Sequence, residues 1–548
     1  MVKATLPILA VLLFTPLAGL HAADSSRDLL GERGLPRILF NNDSDDLKFP
    51  AYPEHHSALW VPAGDPVPLK GIASLEDYLG YRIGPLAKTA ATGLAYCGNF
   101  GAPIWELRRD HIAALGDDPM QPIVGFWRKE GRTFFFSMRM NDMHHSVWNW
   151  AHLWDDFTKA HRHWFLHPPT ESEWQKAFLP WLEDKTKPGP NEWWAKVQTK
   201  PEFLRSVPAS NEVNRQGLLY DYAKADVRAH YLDVLREACR RYDLDGVELD
   251  WLRYPLFFRA GEVNISVMTE FVSEVRAILD SAAEAQGHPV RLVTRVPDAP
   301  ARAKELGLDV GAWLSAGWID AVIAGNGYIF GTNELDQWVA LAHRHHVPVY
   351  GVIERMSRGF ARWGTPETLR AAAATLWARG ADGLYLFNYY NIAEYPLLSD
   401  LSDPARLAHQ PKEFFVDACR DSNNGTVTQT ALPLPIQGES SAGAVLLLTE
   451  APDQAKGLRL ELAFKSSGEL AAPGILINGQ RLEDVQLDRN KASFTAVSAS
   501  PLEKGESHLT VSSSSPQLAK LLRRGVNEFS FTTKSAATLT SLSVRVEP

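Results

Sequence analysis

The sequence predicts an α/β protein: a (β/α)8 TIM barrel followed by a C-terminal antiparallel β-sandwich domain. Three observations carry the prediction. From about residue 30 to 415, short runs rich in β-branched and aromatic residues alternate with longer segments of helical period. There are eight such runs. Beyond about residue 425 the helical period gives way to short alternating segments separated by Ser- and Gly-rich turns.

The eight runs are residues 37–40, 93–96, 133–138, 246–250, 290–295, 319–323, 347–353 and 383–387. Runs of nearly continuous apolar character, separated by helices, belong to a parallel sheet covered on both faces. Eight βα units favour closure into a barrel. Between them, residues 225–242 place Val227, Tyr231, Val234, Leu235 and Ala238 on one helical face, with charges opposite. Residues 365–379 read as the helix before the last strand, and Gly380 stands where a helix stop belongs.

The segment at about 141–222 is a long insertion after the third strand. It holds Trp148, Trp150, Trp154, Trp164, Trp174, Trp181, Trp193 and Trp194. Such tryptophan density argues against disorder. Packing of the insert onto the barrel is expected to occupy more than half of these rings, with stacking against sugar faces as the other use. In the C-terminal part, residues 444–448, 458–462, 474–477, 494–497, 508–511, 529–531 and 542–546 alternate in the manner of sandwich strands. The expected domains are a barrel over 30–415 and a jelly-roll-like sandwich over 425–548.

Residues 1–23 read as a signal peptide: Lys3, an apolar run over 6–17, and small residues ending at Ala23. The apolar run is shorter than the roughly 20 residues a bilayer span requires. The expected destination is therefore the periplasm or the outside of the cell, with no membrane span. The net charge of −9, without a basic tract, argues against nucleic acid as a partner. Three cysteines, Cys97, Cys239 and Cys419, allow one disulfide at most and form no CxxC.

Polar residues follow the strand ends, and in a parallel barrel all strand C-termini share one rim, where barrel enzymes carry their chemistry. The richest stretch is Asp245-Gly246-Val247-Glu248-Leu249-Asp250-Trp251-Leu252-Arg253-Tyr254-Pro255. With a side-chain period of two, Glu248 and Asp250 share one side and point into the barrel. Two inward carboxylates on one strand are costly unless paired or used.

This stretch resembles the DGIHLDYIRYP signature of the glycosyl-hydrolase-like family ten barrels, with Glu248 in place of the histidine as the main departure. The resemblance covers the fourth βα unit. It implies an extracytoplasmic hydrolase acting on polysaccharide, with Asp250 as the functional acid. A chitinase-type acidic strand is also approximated by Asp245, Glu248 and Asp250, but Leu252 occupies the position of that family's general acid.

Glycoside hydrolysis uses two carboxyl groups, one protonating the leaving oxygen while the other attacks or activates water. Asp250 is the expected first member, facing an open sugar-sized hollow, and Glu248, one layer deeper, is expected to tune it. The second member is expected to be Glu354 after the seventh strand, ahead of Asp298 after the fifth and Asp142 after the third. For these three the competing role is a structural salt link to Arg295 or Arg355. The expected sugar-binding rim comprises Asn42, Asp43, Tyr96, Arg139, Asp142, His144, His145, Arg253, Tyr254, Arg295, Asp298, Asn326 and Asn388. A carbohydrate substrate and no cofactor or metal follow from this reading. The alternatives are a non-catalytic carbohydrate-binding barrel and metal-assisted hydrolysis through the His144-His145 cluster.

Overall fold

The computed structural model describes residues 28–44, 76, 79–100, 102–103, 105, 118, 120–142, 154, 156–184, 186–187, 189–197, 199, 217–325, 335–355, 365–389, 392–416, 432–489 and 507–548. The expected signal peptide, the strand at 494–497, Cys419, Trp148, Trp150, His144, His145 and Asn326 lie outside them.

The eight expected strands all form: β1 Ile38–Asn42, β2 Gly93–Cys97, β3 Thr133–Arg139, β4 Gly246–Asp250, β5 Arg291–Val296, β6 Ala321–Ala324, β7 Val349–Glu354 and β8 Gly383–Phe387. They pair in parallel and close into a barrel in sequence order, with β8 against β1. Their outward residues pack against helices, among them α1 Gln121–Lys129, α2 Ala225–Arg241, α3 Ile265–Gln286 and α4 Pro366–Ala378. Local chemistry sets the helix ends. The Asn264 side chain accepts from Val267 N at the start of α3, and Gly287, at φ +76°, closes it. Thr365 and Thr368 form a reciprocal cap at the start of α4, with Pro366 in its first turn. Among the described residues, no helix is long and apolar enough to cross a membrane.

The barrel interior is layered. Leu39, Ala95, Phe135, Val293, Ala321, Tyr350 and Tyr385 belong to one buried cluster inside it. Bulk and absence of bulk alternate: a Cβ on Gly246 would lie 2.3 Å from the Phe135 ring, and one on Gly383 would lie 2.5 Å from the Tyr350 ring. Those glycines make room for the aromatic floor.

At the N-terminal end, three aspartates stand just before even-numbered strands and clamp the preceding strand. Asp245 N donates to Phe134 O, and its carboxylate accepts from Phe134 N at 2.7 Å. Asp320 does the same with Leu292, and Asp382 with Val349. Each carboxylate also meets a basic side chain. Arg128 reaches Asp245, Arg33, Arg276 and Arg291 reach Asp320, and His343 reaches Asp382. Two reciprocal backbone bonds and a charge partner satisfy each acid where the chain enters the barrel.

The described part of the insertion is rich in short helices rather than an open loop. Short helices at Asp156–Ala160, Glu171–Glu173, Leu179–Glu183 and Asn191–Val197 surround Trp154, Trp164, Trp174, Trp181 and Trp193, all buried. Trp154 packs on Trp174 with 5.6 Å between ring centroids, and Phe178 meets Trp193 edge-on at 5.3 Å. These rings serve packing, as expected for the majority of them.

The second domain consists of β9 Lys412–Phe415, β10 Leu434–Ile436, β11 Ser441–Leu448, β12 Gly457–Ser466, β13 Gly474–Ile477, β14 Gln480–Arg481, β15 Gln486–Asp488, β16 Ser507–Ser513, β17 Gly525–Thr532 and β18 Ala537–Glu547. One sheet runs β9-β18-β12-β16-β15, with β10 also on β18, and the other runs β11-β17-β13-β14. The expected start at 425 is corrected. Residues 412–415 pair with Ser543–Val546 and are a sandwich strand. Ala371 of α4 joins the sandwich core, and Glu367 of the same helix meets Arg545 at 3.4 Å.

Candidate active site

At the C-terminal end of the barrel the inward side chains become polar. On β4, Glu248 and Asp250 face the interior together, as the period of two requires. Their register neighbours on β3 are Ser137 and Arg139, and on β5 Val293 and Arg295.

Arg295 Nη1 lies 3.3 and 3.2 Å from the two oxygens of Asp250, and Leu252 N donates to Asp250 Oδ1 at 3.0 Å. The Arg295 guanidinium then crosses the interior to β8, 3.7 Å above the Phe387 ring. Burial works against its charge, but Asp250, then Tyr385, Glu354 and Glu248, raise its pKa above the usual arginine value. Arg295 thus pairs with Asp250 and lies in the field of Glu354 and Glu248.

Glu248 lies one layer deeper. Tyr385 donates its hydroxyl to Oε1 at 2.5 Å, and Asn41 Nδ2 donates to Oε2 at 3.3 Å. Burial, followed by the neighbouring Asp250 charge, pushes Glu248 up to about 7, against the pull of Ser137, Tyr385 and Arg295. Burial and the Glu248 charge push the Tyr385 phenol up as well, so it stays a donor.

On β7, Glu354 accepts from Asn388 Nδ2 at 2.8 Å. Asn388 has φ +53°, in the left-handed region that Asn tolerates better than most residues, and it sits just beyond the end of β8. A second cluster stands beside the first. Arg139 is held between Asp43 and Asp142, 2.6 Å from the latter, and Arg253 Nη2 lies 3.8 Å from Asp43. Burial opposes the Arg139 charge, but Asp43 and Asp142 hold its pKa well above the usual value. The Asn99 side chain ties the Arg139 backbone at both N and O.

These positions both extend and correct the expectations. Asp43, Arg139, Asp142, Arg253, Arg295, Glu248, Asp250, Glu354 and Asn388 gather at the C-terminal end. The salt links run to other acids than anticipated: Arg295 takes Asp250, Arg355 takes Glu394 at 2.7 Å, and Asp142 takes Arg139. Asn42 and Tyr96 are corrected. Asn42 accepts from Ser44 N in its own turn, and Tyr96 stacks on Phe134 among the outward-facing residues. It is Asn41 that looks inward. Tyr254 packs with Leu166 and Leu219 of the insertion, and Asp298 is buried in the turn after β5.

The expectation that Asp250 faces an open hollow is also corrected. Asp250 is 2% exposed, and Glu248 and Glu354 are fully buried. A carboxylate that shares a guanidinium inside a barrel is enclosed by its own ion pair. Among the described residues, no group of three or more His, Cys, Asp or Glu is placed to hold a metal ion; the Cys97 thiol donates to Asn99 O at 3.4 Å, and Cys239 is a free thiol.

The sequence alone does not single out Tyr385 and Phe387, and Asn41 enters only among the polar residues that follow the first strand. Tyr385 carried one usable signal, a tyrosine in the inward parity of a strand otherwise apolar.

No family model matches the chain, and no curated protein matches it. The resemblance to the glycosyl-hydrolase-like family ten barrels therefore extends no further than the β4 stretch that carries it. Among solved structures, the chain is similar to glycoside hydrolases and to a glucanotransferase. A Paenibacillus sp. cycloisomaltooligosaccharide glucanotransferase is 10% identical with a TM-score of 0.32; the match covers 93% of this chain and 57% of that one. An Anoxybacillus alpha-amylase is 14% identical with a TM-score of 0.36, covering 94% of this chain and 98% of that one. A glycoside hydrolase family 18 N-acetylglucosaminidase from Paenibacillus barengoltzii is 13% identical with a TM-score of 0.31, covering 58% and 94%.

Proposed function

We propose that the protein is an exported glycoside hydrolase that cleaves glycosidic bonds of a polysaccharide or oligosaccharide with two barrel carboxylates. The observation that carries the reading is Arg295, which lies against Asp250 of β4 and within the field of Glu354 of β7. Acid–base cleavage of an acetal uses two carboxyl groups that flank the bond, and Asp250 and Glu354 end two separate strands at the same end of the barrel. Asp250, engaged by Arg295 on both oxygens, acts as base or nucleophile rather than as proton donor. Glu354, held on one oxygen by Asn388, is the group assigned to protonate the leaving oxygen.

The enclosure of these acids favours a second reading, a carbohydrate-binding barrel in which the ion pairs are structural. Product analysis on a panel of polysaccharides and oligosaccharides separates the two. Wild type yields shorter sugars, and Asp250→Asn and Glu354→Gln lose that activity while remaining folded. Saccharide binding by calorimetry with no product anywhere on the panel establishes the second reading instead. The export half is tested separately by the mature N-terminus of the protein recovered from a bacterial periplasm or medium, expected after Ala23.

A further inference from the structure

The Glu248 carboxyl has a fixed place beneath Asp250, and the residues that fix it come from the far side of the barrel. Tyr385 of β8 reaches Oε1 at 2.5 Å and Asn41 of β1 reaches Oε2 at 3.3 Å, so both oxygens are oriented. The Tyr385 ring stacks on Phe387 at 6.4 Å between centroids, and the Arg295 guanidinium lies over both rings, 5.6 and 3.7 Å from their centroids. One tyrosine therefore touches both the acid below Asp250 and the cation beside it.

We infer that Tyr385 is a positioning residue of this site: its hydroxyl, with the Asn41 amide, orients Glu248 and sets whether that side chain presents a proton or a charge beneath Asp250. Its catalytic consequence rests on the hydrolase reading above. The groups around Glu248 are known from each neighbouring strand. Asn41 on β1, Ser137 on β3, Asp250 on β4, Arg295 on β5 and Tyr385 on β8 act on it directly; Cys97 on β2, Arg139 on β3 and Glu354 on β7 share the inward parity of their strands, and the inward residues of β6, Ala321 and Ile323, are uncharged.

Of these, Asp250 repels an ionised Glu248, whereas Arg295 and the Tyr385 donor stabilise it. An ionised Glu248 competes with Asp250 for Arg295, so activity falls as Glu248 loses its proton. Removing the Tyr385 hydroxyl destabilises the charged form and delays that loss to higher pH.

The test is the substitution Tyr385→Phe, which keeps the ring over Arg295 and removes only the donor. Infrared difference spectra of protein carrying 13C-labelled glutamate follow the protonated carboxyl, with Glu248→Gln assigning its band. The midpoint is expected near 7 in wild type, where burial and Asp250 place it, and about one pH unit higher in Tyr385→Phe. Asn41→Ala is a second variant, expected to move it upward by less because its contact is longer. The alkaline limb of the pH–rate profile should move with the midpoint.

An unmoved or lowered midpoint in folded Tyr385→Phe overturns the inference. A moved midpoint with an unmoved limb overturns its catalytic part. If wild type hydrolyses no saccharide, the hydrolase reading falls by itself, and the infrared midpoint still decides whether Tyr385 governs Glu248.

Discussion

The two ends of the barrel both carry acids, arranged by opposite rules. At the N-terminal floor, Asp245, Asp320 and Asp382 each exchange two hydrogen bonds with the backbone of the preceding strand and meet a basic side chain. Their side chains keep between 12 and 25% of their surface. At the C-terminal mouth, Glu248, Asp250 and Glu354 are almost wholly buried; Asp250 pairs with Arg295, and the other two add to the field that holds its charge. An acid with its own donors and a share of water is a rivet. Acids that compete for one cation are held in a state that folding alone does not favour, because each extra buried charge costs free energy. Under the proposed function, the contrast places stability at the floor and chemistry at the mouth.

The largest expected effect is at the mouth. Asp250→Asn should lower kcat/KM on a cleaved saccharide by about 10³-fold, within the span that loss of an acid–base group produces. Activity within tenfold of wild type would break the contrast at its functional end. At the floor, Asp320→Ala removes a carboxylate that bonds the Leu292 amide and meets three arginines. Urea unfolding should show a loss of about 3 kcal/mol, while turnover per folded molecule stays at the wild-type value. A fall in turnover without loss of stability would reverse the assignment.

The pH dependence of stability sharpens the comparison further. The Glu248 carboxyl ionises near 4.5 when the chain is unfolded and near 7 when it is folded. Its contribution is therefore fully present below pH 4.5 and is lost as the pH rises to about 7, on the order of 3 kcal/mol in all. Glu248→Gln should flatten that part of the stability profile, measured by unfolding at a series of pH values. The smallest effect belongs to the link between the domains. Arg545→Ala breaks a part-exposed ion pair with Glu367, and should cost less than about 1 kcal/mol. A larger cost would show that the barrel–sandwich contact depends on charge rather than on Ala371 and the apolar face around it.

Much of this architecture could be read along the chain. All eight barrel strands fall within a few residues of the expected runs, and helix α2 ends one residue from its expected limit. Those signals are local: apolar runs, a helical period, a glycine stop. The inward pair Glu248 and Asp250 was equally legible, because a strand side chain repeats every two residues. What failed was parity on β1 and β2. Asn41 and Asn42 are adjacent, and in a parallel barrel both faces of a strand are buried, so apolar content does not show which one looks inward. Tyr96 went to the wrong face for the same reason. Residues 412–415 were missed as a sandwich strand because their partner, Ser543–Val546, lies about 130 residues further on.

The sequence by itself determined the number and order of the barrel strands, the change to a sandwich, and the two acids that share the inner side of β4. These depend on neighbours a few positions apart. Only the tertiary structure decided that Arg295 belongs to Asp250, that Tyr385 and Asn41 reach Glu248 across the interior, and that the acids are enclosed rather than open. Each of those facts joins strands from different parts of the chain, and barrel closure is what brings them within hydrogen-bond reach.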